Sequence, residues 1–164
     1  MAVFIIGKTR CPFCKQTIAE GQEFISFPPF VPNEFDPLWV FNDNVFHIDC
    51  FNREPLSSKA ELRFQEFKQK VSYDNRVCII CSKQIMDPDD YFTLGHLTEN
   101  KKEALFKYNY LLAHRSCLAG WTELPVLCQE LEQLNQSGVW GGKGLERLIA
   151  ELPHTDTSVS GLER

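Results

Sequence analysis

Apolar and polar positions along the chain alternate at two periods, and the switches between them mark its elements. The apolar run at residues 3–6, bounded by Gly7-Lys8, predicts a first strand. Phe24-Ile25-Ser26-Phe27 alternates as another. Pro28-Pro29-Phe30-Val31-Pro32 then interrupts regular pairing, because proline cannot donate to a ladder. Trp39-Val40-Phe41 and Val45-Phe46 flank the turn signal Asn42-Asp43-Asn44. Residues 47–52 predict a short helix. A longer one follows Pro55-Leu56-Ser57, with Ser58 and Glu61 placed as a capping box and Leu62, Phe64, Phe67 and Val71 as its apolar side.

The second half repeats the order. Residues 91–94 and 104–113 predict the strands of a hairpin around polar residues 98–102, and residues 114–118 a short helix. Leu124, Leu127, Leu131 and Leu134 recur at helical spacing, with Cys128 near that side. Gly138, Gly141, Gly142 and Gly144 mark a loop, residues 145–152 a last helix, and residues 153–164 a frayed tail. The expected organisation is therefore a first module over 1–73, a second over 74–121, a helical extension over 122–152 and the tail.

Cysteine and histidine positions sharpen the repeat. Cys11-x2-Cys14 and His47-x2-Cys50 recur 67 residues later, without a gap, as Cys78-x2-Cys81 and His114-x2-Cys117. At the same offset Ile18 meets Ile85, Glu23 meets Asp90, Phe24 meets Tyr91, Asn33 meets Asn100 and Asn42 meets Asn109. Trp39 meets Phe106, Phe41 meets Tyr108 and Phe51 meets Leu118. A fixed period of this kind indicates duplicated modules, each with its own ligand set.

Zinc takes four tetrahedral ligands from cysteine and histidine. A Cys-x2-Cys turn aims two sulfurs at one ion. A His-x2-Cys pair on a helix's first turn does the same, because residues three apart share a helix face. Cys11, Cys14, His47 and Cys50 are thus the expected ligands of one Zn²⁺, and Cys78, Cys81, His114 and Cys117 those of a second. Both ions are expected to be structural. Disulfides would need an oxidising compartment, and seven cysteines leave one unpaired. A Cys-x2-Cys redox motif would leave the His-x2-Cys pairs unexplained. Iron or an iron–sulfur cluster remains the other metal reading, and the histidines disfavour it.

A knuckle, a hairpin and a helix that donates the second ligand pair, in that order, resemble the treble-clef zinc finger. The resemblance covers about residues 1–55 and 74–121 and implies an α+β fold: two tandem treble-clef-like zinc modules with added C-terminal helices. Phe46-His47-Ile48-Asp49-Cys50-Phe51, with Trp39 upstream, is similar to the zinc fingers of poly(ADP-ribose) polymerases. A LIM domain would place its second ligand set almost directly after the first, whereas about 27 residues separate Cys50 from Cys78. A cross-braced RING would pair ligands between modules, which the gapless repeat disfavours.

Charge changes the picture of partners. Seventeen basic against 22 acidic residues give a net charge of −5, so the totals show no basic footprint for phosphates. Three thiolates on a dication leave each site near −1, which adds to the acidity. Residues 1–77 carry nine basic and ten acidic side chains, so nucleic acid, if bound, is expected at module one. The polymerase-finger resemblance implies that alternative, with recognition of DNA breaks or single strands.

The leading expectation is a non-catalytic protein–protein interaction module: an adaptor, regulator or immunity-type protein, with Phe30, Phe35 and Trp39 on the partner surface. Four protein donors fill each site, leaving no open position for a reacting water. Cys128 has no counterpart in the repeat and reads as a buried, inert thiol. His96 and His154 read as surface histidines. No run approaches the ~20 apolar residues of a membrane-spanning helix. The apolar start is too short for a secretion signal, so a cytoplasmic location is expected.

Overall fold

The computed structural model describes residues 4–153; His154 and the rest of the expected tail lie outside the described residues. The chain builds two small antiparallel sheets and a set of helices, and the repeat governs both halves. In the first half, strand β1 (Phe24–Phe27) pairs with β2 (Asn44–His47), Phe24 opposite His47 and Phe27 opposite Asn44. Helix α1 (Ile48–Asn52) starts directly after β2, and α2 (Ser57–Val71) follows it. In the second half, β3 (Tyr91–Thr93) pairs with β4 (Leu112–His114), Tyr91 opposite His114. Helices α3 (Arg115–Leu118), α4 (Leu124–Gln136) and α5 (Gly144–Glu151) follow. Among the described residues no helix is long and apolar enough to cross a membrane.

Each sheet is narrower than the sequence pattern suggests. Residues 104–108, expected in a strand, form a 3-10 turn over Ala104–Tyr108, and Trp39-Val40-Phe41 belongs to a matching turn over Pro37–Phe41. A 3-10 turn brings residues three apart onto one face. Leu38 and Phe41 in one half, and Leu105 and Tyr108 in the other, are buried in this way. Pro37 opens the first turn, and the Asp36 carboxylate accepts the Leu38 N–H at 2.8 Å. The run 3–6 is no strand among the described residues either. The Lys8 and Thr9 N–H groups bond back to the Ile5 carbonyl, and Ile5 and Ile6 are exposed.

The two cores differ in chemistry. Phenylalanines fill the first: Phe27 lies at its centre, its ring centroid 5.4 Å from Phe51 and 5.2 Å from Phe64. Leucines dominate the second, where α4 and α5 supply Leu124, Leu127, Leu131 and Leu145. Residues 122–152 thus contribute to the same core as the second module. On α2 the buried positions are Ala60 and Arg63, with Phe64 and Phe67 packed against the core, while Leu62 is exposed. Ser58 and Glu61 form no capping box, because the helix begins at Ser57 and Leu56 occupies the cap.

Polar contacts join the halves. The Arg63 side chain, 5% exposed, reaches from α2 to Asp36 at 3.6 Å and to Glu99 of the second module. Asn33 donates to the Val139 carbonyl at 3.1 Å and accepts the Gly141 N–H at 2.8 Å. Gly141 permits this approach: a β-carbon there would lie 2.5 Å from the Phe35 ring.

Candidate metal centres

In each half the first ligand pair sits on a tight turn. The Cys11 N–H bonds to the Gln16 carbonyl and the Lys15 N–H to the Cys11 carbonyl, both at 2.9 Å. Cys78, Lys83 and Ser82 repeat these bonds at the same lengths. Lys15 and Ser82 take the left-handed conformation (φ 61° and 58°) that closes each turn. The second pair comes from the strand-to-helix junction. His47 ends β2 and occupies the cap of α1, with Cys50 one turn further; His114 and Cys117 stand likewise at β4 and α3.

The structure brings the eight expected ligands together as two clusters of four. Within Cys11, Cys14, His47 and Cys50, and within Cys78, Cys81, His114 and Cys117, the ligand atoms lie within 4.8 Å of one another. His47 Nδ1 is 3.3 Å from Cys14 Sγ and 4.0 Å from Cys50 Sγ. His114 Nδ1 is 3.4 Å from Cys81 Sγ and 3.8 Å from Cys117 Sγ. A tetrahedral ion with bonds of ~2.3 Å to sulfur and ~2.0 Å to nitrogen separates such donors by about 3.6 Å. The observed distances bracket that value, so the donor geometry fits a metal ion in both places.

Electrostatics agree with the geometry. Burial raises the Cys11 thiol, but the backbone N–H groups of Cys14, His47 and Phe13 outweigh it and bring the pKa from 9.0 to about 6. Cys78 is likewise brought to about 6 against its burial, by the N–H groups of Cys81, His114 and Ile80. Cys50 and Cys117 move the other way. Burial and then the neighbouring Cys14 sulfur push Cys50 up. Burial and the Cys81 and Cys78 sulfurs push Cys117 to about 11. One thiolate is favoured in each cluster, and Cys50 in the first and Cys117 in the second resist ionising beside it; a bound cation removes that conflict.

The expected partner residues separate. Phe30 is 3% exposed and packs in the first core against Phe27 and Phe64, so it presents no surface. Phe35 is 67% exposed over Gly141, and Trp39 is 38% exposed on the outer side of its 3-10 turn. Trp39, Pro32 and Glu34 line a groove of about 540 Å³ with Gly142, Lys143, Gly144 and Arg147. His96 is not a surface histidine: it is buried beside Tyr110, and burial with the nearby Arg63 charge lowers its pKa to about 4. Cys128 packs against the second core, and burial followed by the Glu132 charge pushes its thiol up.

Two contacts to the clusters escape a search for ligand types. Gln22 Oε1 lies 3.1 Å from His47 Nε2, and Arg53 Nη2 lies 3.6 Å from Cys50 Sγ. Comparing the halves at fixed offset marks both positions, since Asp89 and Gly120 stand there in the second module. No protein-family model matches the chain, and no curated protein or solved structure matches it.

Proposed function

We propose that this chain is a non-catalytic zinc protein of two tandem treble-clef modules that serves as a platform for binding another protein. The supporting observation is the pair of Cys3His clusters, each with four protein donors at spacings suited to a tetrahedral ion. Four donors satisfy such an ion, so each metal acts as a cross-link between turn and helix rather than as a Lewis acid. The order of turn, hairpin and helix-borne second pair supports the treble-clef reading in both modules. The exposed faces of Phe35 and Trp39 form the proposed partner surface. The zinc-loaded full chain is used as bait beside a Phe35→Ser/Trp39→Ser double variant. A partner held by the wild type and lost by the variant supports the reading; equal retention removes that surface.

One feature favours a second reading, nucleic-acid binding of the kind that the polymerase-finger resemblance implies. Trp39 shares its groove with Lys143 and Arg147, an aromatic face beside two cations. Phosphate contacts strengthen as salt falls. Binding to broken or single-stranded DNA at about 50 mM salt, weakening steeply with added salt, supports it. No binding at that salt removes it.

A further inference from the structure

The two halves agree at the metal ligands and differ just outside them. In the first module the Gln22 side-chain oxygen lies 2.7 Å from the Ala19 N–H and 3.1 Å from His47 Nε2. The Ala19 N–H can only donate, so the Gln22 atom that meets it is an oxygen. That oxygen needs a proton on His47 Nε2, which leaves the Nδ1 lone pair facing Cys14 and Cys50. Arg53 directly follows α1. Its Nε donates to the Asp49 carbonyl at 3.0 Å and its Nη2 to Cys50 Sγ at 3.6 Å.

None of this recurs 67 residues later. Gly120 replaces Arg53 and has no side chain, and Asp89 replaces Gln22. Among the described residues His114 Nε2 has no hydrogen-bond partner, whereas Asp90 holds the start of α3 through the Ser116 N–H and hydroxyl, at 2.8 and 2.9 Å.

We propose that Gln22 and Arg53 are positioning residues of the first centre alone, and that they make the two duplicated sites unequal in how they hold metal. Gln22 fixes the imidazole in the tautomer and orientation that ligation needs. Arg53 sets a positive charge against the excess negative charge of three thiolates on one dication. The proposal rests on the reading of both clusters as zinc sites.

The test uses the full chain loaded with zinc and titrated with a chromogenic chelator, with ring resonances of His47 and His114 reporting each centre separately. Gln22→Ala is expected to weaken zinc at the first centre by roughly 10–100-fold, the usual effect of losing such a partner, and to leave the second unchanged. Arg53→Ala is expected to weaken the same centre only. Gln22→Glu keeps an oxygen for both donors and is expected to restore retention. The His47 Nε2 proton is expected to exchange with water faster in Gln22→Ala, with no change at His114, a signature that a folding defect would not confine to one ring. First-centre retention in Gln22→Ala and Arg53→Ala equal to that of the wild type, or a Gln22→Glu variant as weak as Gln22→Ala, would overturn the proposal. Wild-type protein that takes up zinc at neither cluster overturns the underlying reading with it, and the unmutated arm shows that directly.

Discussion

Asn42 and Asn109, one repeat apart, make the same three hydrogen bonds in their two modules. Asn42 Oδ1 accepts the Phe30 and Val31 N–H groups at 3.1 and 3.0 Å, and its Nδ2 donates to the Val31 carbonyl. Asn109 Oδ1 accepts from Leu97 and Thr98 at 2.7 and 3.1 Å, and its Nδ2 returns a bond of 2.7 Å to the Thr98 carbonyl. Each asparagine follows a 3-10 turn and clips the long hairpin loop shut. The residue after Asn42, and the one after Asn109, takes the left-handed conformation (Asp43 φ 52°, Tyr110 φ 57°). The chain then re-enters the sheet in the register that delivers His47 and His114 to the cysteines.

Asn42→Ala is therefore expected to leave two backbone N–H groups without partners and to destabilise the first module by about 2–4 kcal/mol. Asn109→Ala should act similarly on the second. Urea unfolding of the metal-loaded protein measures both. A cost under about 0.5 kcal/mol, the range of ordinary surface changes, would show that the clip is dispensable.

Arg63 tests the junction between modules. It is buried, and it alone among the described residues pairs acids from both halves, Asp36 and Glu99. Arg63→Ala leaves Asp36 without that charge and is expected to cost about 2 kcal/mol, since Glu99 is half exposed and keeps Lys59 at 2.8 Å. Arg63→Met keeps most of the buried stem and should recover part of the loss. Thermal melting reads the series; an Arg63→Ala variant as stable as the wild type would contradict it.

His96 gives the fold a pH dependence of known sign. Its pKa is lowered from 6.5 to about 4 by burial first and then by Arg63. Unfolded chains bind this proton more readily, so the folded state loses stability as pH falls from 6.5 toward 4. Above 6.5 the group contributes no slope. His96→Phe is expected to flatten that part of the profile. The comparison is the difference in melting temperature between variant and wild type at each pH, which removes the shared effect of acid on the metal ligands. A constant difference across the window would contradict the assignment.

The ligand sets, the repeat and most helices were legible in the sequence because each rests on local spacing. Cys-x2-Cys and His-x2-Cys encode a turn and a helix start within a few residues, and Leu124, Leu127 and Leu131 encode the buried side of α4. The 3-10 turns were not legible as such, because Leu38 with Phe41 and Leu105 with Tyr108 are three-residue patterns too short to separate from extended runs. Phe30 and His96 were misplaced for a different reason. Each lies in a loop of polar or proline-rich composition, and only the meeting of distant segments buries it: Phe64 over Phe30, Tyr110 against His96. The outer contacts Gln22 and Arg53 involve no ligand type and emerge only when the halves are compared position by position.

The central claim is that one metal in each module holds the fold together, and metal content measured alongside melting tests it most directly. The account predicts two zinc ions per chain by elemental analysis, loss of cooperative melting on treatment with a strong chelator, and recovery when zinc is restored. Purified protein that holds no metal and melts at the same temperature with or without the chelator would contradict it.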